Sequence, residues 1–241
     1  MADPLLTLSG VHTHIGPYHI LQGVDLVVPR GGVSVLLGRN GAGKSTTLRT
    51  IMGLLKPSAG EIRFDGNSIG GTPTPAISRA GIAYVPENMG IFSDLTVGEN
   101  MQLAATQGPF DPTRLSWIKE LFPPIATFWD KAAGTLSGGQ KQMLAVARAI
   151  IEPRRLILID EPSKGLAPAI ISAMTRALGE LKETDTTILL VEQNFAMASA
   201  LGDTVSVMDD GRVVHAGAMA ELAGDAGMQE RLMGLSLEVH Q

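Results

Sequence analysis

Four short runs rich in Val, Ile and Leu recur along the chain, at residues 33–37, 82–85, 156–159 and 188–191, with longer segments between them. None alternates apolar with polar residues, so each predicts a strand covered on both faces, and such strands assemble into largely parallel α/β sheets. A different texture surrounds them. Residues 5–11 and 20–28 do alternate, and residues 61–64 run into an Asp65-Gly66 turn; these predict antiparallel strands joined by hairpins. From 88 to 149 strand-like runs vanish and helix formers dominate, interrupted by Gly108-Pro109 and Pro123-Pro124, which predicts a helical insertion into the sheet domain. Residues 204–208, the Asp210-Gly211 turn and residues 212–215 predict a last hairpin, followed by helices at 219–223 and 228–235.

Composition sets the outer limits. A chain of 241 residues, 44% hydrophobic and 18% charged, buries a sizeable core as one globular unit with lobes and is not a disordered tail. With no cysteine it has neither a disulfide framework nor a thiolate metal site, in keeping with a reducing compartment. A net charge of -5 gives no basic footprint for a phosphate backbone, so nucleic acid is not the expected partner. No window approaches the roughly 20 apolar residues that cross a bilayer, and residues 1–10 lack the basic stretch of a secretory signal. Any membrane role is therefore expected to come through a partner.

The run at 33–37 feeds directly into Gly38, Arg39, Asn40, Gly41, Ala42, Gly43, Lys44, Ser45 and Thr46, and a helix-forming stretch to residue 55 follows. This fits G-x-x-x-x-G-K-S/T in the strand, loop, helix setting that gives the pattern its meaning. Glycines let the backbone wrap close enough for its N–H groups to face phosphate oxygens, and the helix N-terminus adds partial positive charge. Lys44 reaches the terminal phosphates in this reading, and Ser45 offers its hydroxyl to Mg²⁺, which prefers oxygen ligands.

Further on, the run at 156–159 ends in Asp160 and Glu161. Ligands sit at the carboxyl ends of strands in open α/β sheets. Neighbouring strand residues point to opposite sides, so two roles are expected. Asp160 suits the shell of Mg²⁺, and Glu161 suits the water that attacks the γ-phosphate, which it orients and deprotonates.

Leu136, Ser137, Gly138, Gly139 and Gln140 precede another helical stretch. A hydroxyl and glycine amides at a helix start present donors to an anion, making this a second candidate phosphate site. In this order, the phosphate loop, LSGGQ and the apolar run ending in Asp-Glu resemble the nucleotide-binding subunits of ATP-binding cassette (ABC) transporters, over nearly the whole chain. Val85-Pro86-Glu87, Phe92 with Leu95-Thr96-Val97, Glu161-Pro162-Ser163, Gly165-Leu166-Ala167-Pro168 and Val191-Glu192-Gln193-Asn194 resemble, within that family, the LivF-type ATPases of branched-chain amino-acid importers.

The resemblance implies a P-loop NTPase (RecA-like) α/β core with an antiparallel β subdomain and an inserted α-helical subdomain. It divides the chain into a catalytic core with its β subdomain (1–87 and 150–210), a helical subdomain (88–149) and a C-terminal hairpin with helices (211–241). It further implies two cassettes head to tail, identical or paralogous, each ATP lying between one phosphate loop and the opposite LSGGQ. Such a subunit works at the cytoplasmic face of a bacterial inner membrane, beneath permease subunits fed by a periplasmic solute-binding protein. A soluble cassette ATPase acting on nucleic acid or ribosomes, and a regulator that binds nucleotide without turnover, are the alternatives.

Three positions depart from the family's general pattern. Glu87 stands where most members carry a Gln that touches Mg²⁺. As a cation ligand it adds a third negative charge beside Asp160 and Glu161, while as a plain loop acid it is simply solvated. Gln193 stands where a switch His usually senses the γ-phosphate. An amide donates a hydrogen bond but does not titrate near neutral pH, which leaves the base role to Glu161. Ala167 replaces a common Asp. The adenine-stacking aromatic is replaced by Ile15, with Tyr18 close enough in sequence to substitute or to be an ordinary strand tyrosine. The histidines at 12, 14, 19, 215 and 240 lack metal-ligand spacing and are expected to be strand or surface residues. Met101, Met143 and Met174 are expected to fill the core.

Overall fold

The structure, a computed structural model, describes residues 4–106 and 108–234. The chain runs through β1 (Pro4–Ile15), β2 (Tyr18–Pro29), β3 (Val33–Gly38), α1 (Lys44–Ile51), β4 (Ala59–Phe64), β5 (Asn67–Ser68), α2 (Thr74–Arg79) and β6 (Ile82–Val85). Helices α3 (Val97–Ala104), α4 (Pro112–Leu121), α5 (Pro123–Thr127) and α6 (Gly138–Ile150) separate β6 from β7 (Leu156–Asp160). Then come α7 (Pro168–Lys182), β8 (Thr187–Val191), α8 (Phe195–Leu201), β9 (Thr204–Asp209), β10 (Arg212–Ala218), α9 (Met219–Gly224) and α10 (Ala226–Met233).

A six-stranded sheet has the order β10-β9-β3-β8-β7-β6, parallel throughout except for β10 at one edge. Its strands alternate between two cores. Leu36, Leu156, Leu158, Leu189 and Val191 pack with Leu48 and Ile51 of α1 and with the inner faces of β1 and β2. Val35, Leu37, Ile157, Ile159 and Leu190 pack on the other side with Met143 and Val146 of α6 and Met174 and Leu178 of α7. This two-sided burial is the physical reason for the unbroken apolar runs. Each fully buried Leu or Ile is worth about 1.5–3 kcal/mol relative to exposure. Met101 joins the same core as Met143 and Met174.

The second sheet, β2-β1-β4-β5, is antiparallel. β1 and β2 run on past the expected ends because register shifts between Leu8 and Val11 and between Thr13 and His14 carry the pairing through. Gly10, at φ 55°, supplies the left-handed residue such a bulge uses. On the resulting hairpin, His19 stacks on His12 and His14.

Three further differences have identifiable causes. Residues 204–208 are not merely one arm of a hairpin, since β9 also pairs in parallel with β3 and so belongs to the main sheet. α10 starts at Ala226 rather than at 228 because the Asp225 side chain accepts from the Met228 N–H and caps the helix two residues early. Pro123 does interrupt helix, yet it also begins α5, where its missing N–H is no loss. The expected extension of the last helix to Leu235, and His240, lie outside the described residues.

Candidate nucleotide site

The turn between β3 and α1 is held in place by close backbone approach. A Cβ on Gly38 (φ 149°) would lie 2.3 Å from the Met208 carbonyl oxygen, and one on Gly43 (φ 103°) 3.0 Å from Leu21. A larger residue at Gly38 would push into the β9 backbone, and one at Gly43 would take a strained left-handed backbone and press on the Leu21 side chain. α1 then begins at Lys44 with no side chain capping its first turn, which leaves helix-start amides for an outside acceptor. Lys44 is 4% exposed; its Nζ donates to the carbonyls of Gly38 (2.8 Å) and Arg39 (3.1 Å) and stands 3.4 Å from Glu161 Oε1.

The sheet register gathers the rest. Leu36 and Asp160 both pair with Val191, so the loops after β3, β7 and β8 open at one edge. Ser45 Oγ donates to Asp160 Oδ1 (3.1 Å), and the Tyr84 hydroxyl donates to Oδ2 (3.3 Å). Burial pushes the Asp160 carboxyl above its ordinary pKa, with repulsion from Glu161 and Glu87 added, while the Ser45 and Tyr84 hydrogen bonds pull it down. Burial, together with the Asp160 charge, pushes the Tyr84 hydroxyl up as well.

Glu161 corrects the expectation of two neighbouring strand residues. β7 ends at Asp160, and Glu161 takes a left-handed backbone (φ 48°). Its buried carboxylate accepts from Gln193 Nε2 at 2.6 Å, and the same Nε2 reaches Asn40 Oδ1 at 2.8 Å. Gln193 thus ties the base candidate to the phosphate loop. Glu87 is half-exposed and does not touch Ser45 or Asp160; Lys164 Nζ holds its Oε1 at 2.6 Å and stands 3.6 Å from Glu161 Oε2. The charge of Glu87 is therefore not uncompensated. Ser45, Tyr84, Glu87 and Asp160 share the wall of a cavity of about 960 Å³.

The remaining candidates lie in the loop itself, at the start of α6 and at the β1–β2 tip. Arg39 and Asn40 are exposed and Thr46 is half-buried; the Arg39 guanidinium faces Gly234 at the end of α10. Gly41 and Ala42 complete the loop, with Ala42 N–H donating to the Arg39 carbonyl. Leu136, Ser137, Gly138, Gly139 and Gln140 open α6, where Ser137 Oγ accepts from Gln140 N–H (3.3 Å) and Gln140 Oε1 from Ser137 N–H (2.9 Å). No hydrogen bond joins them to the phosphate loop among the described residues. Tyr18, 70% exposed at the β1–β2 tip, likewise makes no hydrogen bond there.

Sequence reasoning missed Lys164, Tyr84 and the Asn40–Gln193 contact. Tyr84 reaches Asp160, Lys164 reaches Glu87 and Asn40 reaches Gln193 across separations of 76 residues or more, which local pattern does not reveal.

A family profile described as "ABC transporter" matches residues 21–164. The high-affinity branched-chain amino acid transport ATP-binding protein BraG of Pseudomonas aeruginosa is 37% identical, over 95% of this chain and 100% of that protein. The probable branched-chain amino acid transport ATP-binding protein LivF of Archaeoglobus fulgidus is 34% identical, over 90% and 93%. A solved ATP-binding subunit of an ABC transporter superposes with a TM-score of 0.80 at 31% identity, covering 97% of this chain and 96% of that one. With the loop, the acidic strand end and the α6 turn on one α/β frame, the chain belongs to the ABC transporter family.

Proposed function

We propose that this chain is the ATP-hydrolysing subunit of an importer for branched-chain or related amino acids. The observation that carries the reading is the convergence of Lys44 Nζ (3.4 Å) and Gln193 Nε2 (2.6 Å) on Glu161 at the mouth of the loop after β3. The triphosphate of ATP accepts from the loop amides, and Lys44 exchanges the Gly38 and Arg39 carbonyls for terminal phosphate oxygens. A water oxygen then bonds to the γ-phosphorus as the bond to the β–γ bridging oxygen breaks, and Glu161 takes the water's proton. Gln193 steers that carboxylate. Ser45 and Asp160, both hard oxygen donors 3.1 Å apart, fit Mg²⁺, with Glu87 as a further ligand once it leaves Lys164. When bound, the ion supplies charge neutralisation to the phosphates.

The LSGGQ turn at the start of α6 makes no hydrogen bond to its own chain's loop among the described residues, which supports reading it as a contact to the ATP of a second cassette, identical or paralogous. Residues 88–149 act as the helical subdomain in this scheme, and 211–241 as the C-terminal part. Among the described residues no helix is long and apolar enough to cross a membrane. Coupling to transport therefore runs through partner permease subunits at the cytoplasmic face, with a periplasmic solute-binding protein delivering cargo.

Glu161→Gln tests the reading: hydrolysis should fall by roughly a hundredfold or more with ATP binding retained. Unchanged turnover would contradict it.

A further inference from the structure

We infer that Glu192 is a positioning residue for hydrolysis, its carboxylate clamping the turn that carries Glu161 to the turn that carries Gln193. The inference rests on the proposed role of Glu161. Glu192 follows β8 and is 1% exposed. Its Oε1 accepts from Ser163 N–H at 3.0 Å, and its Oε2 accepts from Ser163 Oγ at 2.8 Å and from the N–H groups of Gln193 and Asn194, both at 3.0 Å. No ion pair to Glu192 occurs among the described residues. A buried carboxylate without a cation is costly unless hydrogen bonds replace its hydration, and these donors do so.

The bonds join two short segments. On one side, Ser163 lies two residues beyond Glu161, whose left-handed φ of 48° is a conformation that non-glycine residues keep only when their surroundings hold it. Glu161 N–H is fixed to the Val191 carbonyl at 2.9 Å, and Ser163, bonded through both amide and hydroxyl, fixes the other end of the turn. On the other side, the clamped Gln193 amide sets the backbone from which the Gln193 side chain reaches Glu161. Glu192 itself does not touch the loop after β3, so its influence on chemistry passes through Glu161 and Gln193.

Glu192→Gln preserves shape but turns one acceptor into a donor, which then faces either Ser163 N–H or the Gln193 and Asn194 amides. Misplacing a reacting group by about 1 Å costs on the order of a hundredfold in rate.

The experiment uses the full chain with Mg-ATP and compares the unaltered protein, Glu192→Gln, Glu161→Gln and the double variant. It records kcat, the Kd for ATP and the melting temperature. Glu192→Gln should lower kcat roughly ten- to a hundredfold with the Kd unchanged. In the Glu161→Gln background the same substitution should leave the residual rate within about twofold, because groups that act as a unit are not additive. Wild-type kcat in Glu192→Gln, an equal fractional loss in both backgrounds, or a Kd that rises in step with the loss would each overturn the inference. Should Glu192→Gln not fold, Ser163→Ala removes only the 2.8 Å hydroxyl bond. It should lower kcat severalfold at constant Kd, and a wild-type kcat there would overturn the inference too. If Glu161→Gln hydrolyses ATP as fast as the unaltered chain, the reading of the site itself has failed, an outcome distinct from the others.

Discussion

Lys164 places one ammonium between two carboxylates, 2.6 Å from Glu87 and 3.6 Å from Glu161. Its pKa is raised, first by the hydrogen bond to Glu87 and then by the nearby charges of Glu87 and Glu161. A sequence reader who sees Glu87, Asp160 and Glu161 assigns repulsion to them, because nothing local announces that a lysine from the following turn will lie across the gap. Removing it should leave a more acidic mouth that favours a divalent cation. Lys164→Met is expected to lower the Mg²⁺ concentration for half-maximal hydrolysis by roughly two- to fivefold, the scale of an exposed ion pair. A titration of activity against Mg²⁺ checks this, and an unchanged or higher midpoint would show that Lys164 does not compete for Glu87.

At the scale of elements, α6 illustrates what pattern reveals and what it conceals. LSGGQ was readable as a helix start, and the capping box of Ser137 with Gln140 is that start in atomic terms. The cap uses the Ser137 and Gln140 N–H groups, so the donors assigned to an anion, the Ser137 hydroxyl proton and the amides of Gly138 and Gly139, are not spent on it. The need for Gly139 was not readable, because it comes from α7: a Cβ there would lie 2.6 Å from Ile170 Cγ2. Gly139→Val should therefore overpack the α6–α7 contact and cost about 1–3 kcal/mol, seen as a lower melting temperature. A temperature at or above that of the unaltered chain would contradict the packing argument. The same contrast runs through the sheets. β3, β6, β7 and β8 were legible because two-sided burial writes itself as unbroken apolar sequence. The pairing of β9 beside β3 was not, since Leu36 meets Ser206 only through the topology.

At the scale of the whole molecule, the carboxyl ends of β3, β7 and β8 meet at one edge, which brings Lys44, Glu161 and Gln193 together from three distant parts of the chain. Their identities were legible as motifs, and so was the P-loop α/β frame. Their mutual geometry was not, because it depends on strand order and on the left-handed turn at Glu161. In the proposed function the amides after β3 hold the triphosphate of ATP with Glu161 beyond its terminal phosphate. A crystal structure of Glu161→Gln with Mg-ATP tests this most directly. Phosphate oxygens should accept from the loop amides around Gly43, with Lys44 Nζ moved off the Gly38 and Arg39 carbonyls onto the terminal phosphate. A nucleotide bound elsewhere, or Lys44 still on those two carbonyls with the nucleotide in place, would contradict the claim.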